Sequence, residues 1–269
     1  MSLERMFNLM AEKQASDLFF SVGSPITIKI NGVCVPINQD RLAPQAIVSL
    51  LAERLTDAHF RELEDSRELN IGLPVQGIGS FRLSAFLQRG SISAVIRFIP
   101  HDVPKLDALH LPEVLKDLIM ERRGMILVVG AAGSGKSTTI ASMLDHRNEL
   151  STGHVLTFED PIEYLFRNKK SIINQREIGS DARTLQAALR SAMRQAPDVI
   201  FIGEIRDRDT MSAAIAYSMS GHLVVATLHA TNSSHALNRV ISFYPPETRQ
   251  ALFQDMSVAM KAIVSQRLI

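Results

Sequence analysis

One stretch of the sequence has the residue types and spacing to do chemistry without help from elsewhere. Gly130-Ala131-Ala132-Gly133-Ser134-Gly135-Lys136-Ser137, followed by Thr138, fits G-x-x-x-x-G-K-[ST] without a mismatch. Glycines here let successive backbone N–H groups turn inward and form a concave anion site. A helix opening at Lys136 adds unpaired donors and its positive end. Lys136 offers a flexible point charge to the β- and γ-phosphates of a nucleotide, and the Ser137 hydroxyl can ligate Mg2+. An apolar run before the loop and a helical stretch after it supply the context that separates this pattern from a merely Gly-rich turn.

Hydrolytic chemistry at such a loop needs a carboxylate near the metal and the attacking water. Val199-Ile200-Phe201-Ile202-Gly203-Glu204 is an apolar run ending in one. Most P-loop enzymes place an Asp where Gly203 stands, and it helps to hold Mg2+. Glu204 remains, placed to orient or deprotonate water. The missing carboxylate must come from another strand end, and Phe158-Glu159-Asp160-Pro161-Ile162-Glu163 offers three. Glu159, Asp160 and Glu163 are candidates for metal or water contacts, with Ser137, Glu159 and Asp160 as the metal set. A plainer reading has Glu159 and Asp160 capping a helix that begins at Pro161.

Two histidines, His222 and His229, bracket the run Leu223–Leu228. No further ligand lies nearby in sequence, which disfavours zinc. As a pair at the ends of one strand they read as phosphate or interface sensors. The other histidines have no such context.

The elements that must position these groups follow from periodicity. Beyond Gly124, short apolar runs at Met125–Val129, His154–Phe158, Val199–Ile202 and Leu223–Thr227 alternate with helical stretches. Those stretches are Lys136–Leu150, Asp181–Gln195, Asp207–Met219 and Thr231–Phe243, with a last one over Glu247–Leu268. Strands covered on both faces and joined by crossover helices imply a parallel sheet. The first hundred residues read as α+β: helices over Leu3–Lys13, Pro44–Leu55 and Asp57–Glu64, an Asn31-Gly32 hairpin, and strands over Leu69–Leu73, Ser80–Gln88 and Ser91–Phe98. The expected organisation is an N-terminal domain over 1–99, a proline-containing linker over 100–111, and a second domain over 112–269 opening with a helix at Pro112.

Composition bounds the rest. The 269 residues carry a net charge of +1, too little for a long nucleic-acid contact. The one cysteine, Cys34, excludes an internal disulfide and points to a reducing compartment. No apolar run approaches the roughly 18 residues that span a bilayer, and Glu4 and Glu12 interrupt any leader-like core at the N-terminus. The expectation is a soluble cytoplasmic protein.

The order of these motifs resembles the secretion ATPase superfamily, the hexameric motors of type II secretion and type IV pili. The P-loop, Phe158-Glu159-Asp160-Pro161-Ile162-Glu163-Tyr164, Gly203-Glu204-Ile205-Arg206-Asp207 and Gly221-His222…Thr227-Leu228-His229 carry it. That superfamily shares the glycine before Glu204. Within it the chain is similar to the PilT/PilU-type pilus retraction ATPases, through Ala15-Ser16-Asp17-Leu18-Phe19, Asn174-Gln175-Arg176-Glu177 and the absence of a long upstream extension or a tetracysteine zinc element. Arg194-Gln195-Ala196-Pro197-Asp198 and Val225–Asn232 lean to the PilU branch.

The resemblance implies a PAS-like α+β domain followed by a RecA-like P-loop domain in a six-subunit ring that uses ATP and Mg2+. It implies that Arg82 and Arg97, on strands of the first domain, reach the nucleotide, and that ATP draws the two domains together. The implied partners are a paralogous retraction ATPase and an inner-membrane pilus platform protein, with the ring peripheral to that membrane. Family members continue past the position of Ile269 with several more helices, so the second domain is expected to be incomplete. Two other classes fit the scaffold. One is an accessory nucleotide-binding subunit with little activity alone. The other is a nucleic-acid translocase, for which the sequence offers only pairs such as Arg122-Arg123 and Lys169-Lys170.

Overall fold

The structure, a computed structural model, describes residues 2–99 and 103–268. The chain divides into two compact units, Met1–His101 and Asp102–Ile269. Pro100, His101 and Asp102 of the expected linker lie outside the described residues. The rest of that segment is not a linker: Leu106–Leu109 forms a 3-10 turn, and Leu106 is buried in the core of the second unit. Proline density marked a break in regular structure there, and the apolar side chains still had a core to enter.

In the first unit, α1 (Leu3–Glu12) is capped by the Ser2 hydroxyl and buries Leu3, Met6, Phe7 and Met10, one face of a helix. Then come β1 (Asp17–Phe20), β2 (Thr27–Ile30), β3 (Val33–Pro36), α2 (Pro44–Leu51), α3 (Asp57–Ser66), β4 (Glu68–Val75), β5 (Gly79–Gln88) and β6 (Ser91–Ile99). The β2–β3 hairpin turns on Asn31 at φ 49° and Gly32 at φ 82°, as its Asn-Gly pair predicts. The strands form one antiparallel sheet in the order β3-β2-β1-β6-β5-β4. Phe7 stacks on Phe81 at 4.0 Å and ties α1 to the sheet. This is the α+β, PAS-like arrangement expected, with α2 ending earlier than its apolar pattern and β1 added.

The second unit begins its regular structure with α4 (Val114–Met120), β7 (Gly124–Val129) and α5 (Lys136–Leu150). It continues with β8 (Gly153–Glu159), β9 (Ser171–Glu177), α6 (Leu185–Ala192), β10 (Val199–Ile202), α7 (Arg208–Met219), β11 (Leu223–Leu228), α8 (Ser233–Ser242), α9 (Arg249–Ala259) and β12 (Met260–Ser265). Every neighbouring pair of strands is parallel, in the order β12-β7-β11-β10-β8-β9. β7, β10 and β11 are buried at every position, the signature of strands covered on both faces. This is the RecA-like domain expected. Two of its edge elements were not anticipated. β9 went unread, and the helix expected over Glu247–Leu268 ends at Ala259, where the chain turns into β12 against β7. Pairing with a ready-made strand edge outweighs helical propensity there.

Candidate active site

The parallel sheet sends the carboxyl ends of β7, β8, β10 and β11 to one edge, and a cavity of about 570 Å³ opens there. Because β11 lies between β7 and β10, the residue that closes β11 stands between the phosphate loop and the end of β10. Ala132, Gly133, Lys136 and Ser137 line the cavity from the loop side; Glu159, Asp160, Glu163, Glu204 and His229 face them. The structure thus brings together most of the residues singled out from the sequence.

The loop takes the shape its glycines permit. Gly133 has φ 74° and Gly135 φ 86°, left-handed values that a side chain would strain. Lys136 folds back over the loop, donating to Gly130 O at 2.9 Å and Ala131 O at 2.8 Å. Burial lowers the pKa of its ammonium, opposed by the carboxylates of Glu204 and Glu163. Thr138 does not face the phosphates alone: its hydroxyl bonds the Tyr164 hydroxyl at 2.9 Å and ties α5 to the acidic loop. The Ser134 hydroxyl in the loop and the Thr210 hydroxyl beside the cavity are buried without a hydrogen-bond partner among the described residues. A loop bent at two left-handed glycines, unpartnered hydroxyls and a buried lysine suit a phosphate chain.

The acidic segment is not a helix; 160–170 is irregular, and the next helix is α6. Glu159 is turned inward, at 7% exposure. Its Oε1 accepts from Thr157 Oγ1 at 2.6 Å and from Gln175 Nε2 at 3.1 Å. Burial pushes its carboxyl up to about 7, against those two hydrogen bonds and with the help of the Glu163 charge. Gln175 also donates to Tyr164 O at 2.8 Å and accepts from Phe166 N at 2.9 Å. Glu177 accepts from Ile162 N at 3.0 Å. Alternate residues of β9 therefore pin the loop that carries Asp160 and Glu163. The family text Asn174-Gln175-Arg176-Glu177 was the signal for this clamp, but nothing in its residue types said what it held.

Glu204 follows β10 by one residue beyond Gly203. Its Oε1 lies 3.1 Å from His229 Nε2, and its Oε2 accepts from Arg206 Nε at 2.5 Å. Gly203 packs against the end of β8: a Cβ there would stand 3.1 Å from Phe158 O and 3.3 Å from Glu159 Cα. The position that carries Asp in most P-loop enzymes is tight here, so a side chain would need the end of β8 to give by a few tenths of an ångström.

One expected residue of this unit, His222, is not at this cleft. His222 precedes Leu223, which pairs with Gly124 at the amino end of β7. A strand of this length separates it from the carboxyl edge by about 20 Å. Its Nδ1 meets Tyr217 O at 3.2 Å. The two histidines expected as phosphate or interface sensors do not share a site: His229 lines the cleft and His222 lies at the opposite edge, because a strand carries its two ends to opposite edges of the sheet. Thr138 borders the cleft through its bond to Tyr164, a residue of the lining. Arg82 and Arg97 belong to the first unit, where they are cross-strand partners on β5 and β6. Arg97 Nε pairs with the buried Asp17 Oδ1 at 2.9 Å, which offsets the repulsion of two adjacent guanidiniums.

Among the described residues, no three His, Cys, Asp or Glu side chains converge closely enough to hold a metal by themselves. A Mg2+ at this loop would draw on Ser137 and on phosphate oxygens, as that ion commonly does. No helix among the described residues is long and apolar enough to cross a membrane.

A RecA-like sheet, a phosphate loop after β7 and a glutamate beyond β10 in the same cavity define a P-loop ATPase. The chain belongs to the type II/IV secretion system protein family, whose model matches residues 2–269. It is 42% identical to the type IV pilus ATPase PilU of Pseudomonas aeruginosa, over all of this chain and 70% of that protein. It is 37% identical to the type IV pilus retraction ATPase PilT of the same organism, over all of this chain and 78% of that protein. A crystal structure of the pilus retraction motor PilT with bound ADP superposes with a TM-score of 0.94 at 37% identity, covering all of this chain and 79% of the other.

Proposed function

We propose that the chain is a Mg2+-dependent ATPase subunit of a hexameric ring that powers type IV pilus retraction, working at the cytoplasmic face of the inner membrane. The observation that carries the chemistry is the convergence of Lys136, Ser137 and Glu204 on one cavity. The pilus assignment is supported by the similarity of all of this chain to about three quarters of PilU and PilT.

In this reading the loop amides and Lys136 hold the β- and γ-phosphates and neutralise charge that grows in the transition state. Glu204 orients the attacking water and takes its proton, held by His229 and Arg206 on its two oxygens. Ser137, Glu159 and Asp160 would hold Mg2+ at the loop, and the ion would supply charge neutralisation on the phosphates. Glu163 adds to the negative field that keeps Lys136 charged. Arg82 and Arg97 are assigned to transition-state stabilisation on the family pattern, a role worth on the order of 10³ in rate for an arginine at a γ-phosphate. The proposed partners are a paralogous retraction ATPase and an inner-membrane platform protein, with no nucleic acid.

ATP turnover by the chain alone and with the paralogous ring tests the proposal. Turnover alone that is lost in Lys136→Ala supports a motor subunit. Turnover seen only with the partner assigns the accessory role instead, and none under either condition contradicts the enzyme reading.

A further inference from the structure

Gln266 lies one residue past β12 and reaches the phosphate loop from the side away from the cleft. Its backbone N–H donates to Val129 O at 2.8 Å, extending the β12–β7 ladder to the last residue before the loop. Its side-chain Oε1 accepts from Thr139 Oγ1 at 2.9 Å, across 127 positions of sequence. Thr139 is 1% exposed and sits in the first turn of α5, so in the folded chain its hydroxyl is satisfied by Gln266 rather than by solvent. Two loop glycines are placed against the same residue. A Cβ on Gly130 would stand 2.5 Å from Gln266 O, and one on Gly135 would stand 3.0 Å from Gln266 Nε2. The glycines at both ends of the loop thus serve this close approach as well as the turn itself.

On the cleft side the loop is tied by Lys136 to Gly130 O and Ala131 O. Those bonds must loosen when phosphate oxygens compete for the ammonium. The Gln266 contacts lie outside the cavity lining and face no such competition. We propose that Gln266 is a positioning residue for the nucleotide phosphates: by bridging Val129 and Thr139 it holds the end of β7 and the first turn of α5 at the spacing where the loop amides converge. The inference rests on the nucleotide-binding reading of the loop.

The test uses Gln266→Met, which keeps the length and removes the acceptor, and Thr139→Val, which removes the donor and leaves Gln266 untouched. Binding of a fluorescent ADP analogue and the melting temperature are measured on the full chain. Each variant is expected to weaken binding about fivefold to tenfold, the value of one buried hydrogen bond. The double variant is expected to bind no worse than either single one, because both remove the same contact. A purely structural role lowers the melting temperature and leaves affinity at the parent value; that result, or additive losses, overturns the proposal. If the parent binds and the variants match it, the proposal fails alone. If the parent does not bind, the nucleotide reading fails with it. Should Gln266→Met not fold, Thr139→Val decides the question on the same readout.

Discussion

Glu204 Oε1 and His229 Nε2 stand 3.1 Å apart, although the two residues close different strands. The sheet order makes the pairing: β11 is inserted between β7 and β10, so its last side chain falls beside the end of β10. Glu204 is partly shielded and His229 is 57% exposed, so the contact sits at the mouth of the cleft rather than in the core. Removing the imidazole leaves Glu204 aimed by Arg206 alone. His229→Ala is expected to lower kcat about tenfold to a hundredfold with little change in KM, the pattern of a lost orienter of a general base. Steady-state ATP hydrolysis checks this, and an unchanged kcat contradicts it.

Glu159 makes folding stability depend on pH in a definite direction. Its carboxyl is raised from 4.5 to about 7, chiefly by burial. The folded chain therefore holds this proton more tightly than the unfolded chain, and stability falls as pH rises from about 4.5 through 7. The full cost above that window is about 3 kcal/mol, at 1.36 kcal/mol per pKa unit. Glu159→Gln keeps the Oε1 acceptor for Thr157 and Gln175 and removes the charge. Without nucleotide or Mg2+, the variant is expected to melt higher than the parent at pH 8, with the gap closing near pH 4.5. Melting curves across that range measure it; a gap independent of pH contradicts the assignment.

Gly203 has little room for the side chain that most P-loop enzymes carry at its position. The nearest neighbours of an added Cβ are backbone atoms of Phe158 and Glu159, which have little freedom to move. Gly203→Asp is expected to cost about 1–3 kcal/mol of stability through overpacking and to leave ATP turnover no higher than in the parent. A stable variant with raised turnover would show that the acidic loop does not replace that carboxylate.

Much of the fold was legible because its signals are local. The phosphate loop, the Asn31-Gly32 hairpin and the strands at β7, β10 and β11 each declare themselves within a few residues. β12 did not, because Met260–Ser265 follows α9 without a glycine or proline, and its strand character comes from the open edge of β7. β9 was hidden for another reason: Ile172 and Ile173 are its only apolar residues, so it lacks the apolar run that marks the other strands, although its ladder partner β8 is the strand just before it. At the site, residue types and spacing located Lys136, Glu204 and the acidic segment. They did not show that Glu159 turns inward onto Thr157 of its own strand and Gln175 of β9, since the second contact is made by cross-strand pairing. Nor did they separate His222 from His229, which strand direction sends to opposite edges of the sheet.

The central claim is that Glu204 performs chemistry at a nucleotide held by the loop. The direct measurement compares Glu204→Gln with the parent for both binding of a fluorescent ATP analogue and ATP turnover. The account predicts that the variant binds the analogue as tightly as the parent and hydrolyses ATP at least about a hundredfold more slowly, the contribution of a positioned general base. Turnover by Glu204→Gln at the parental rate contradicts it.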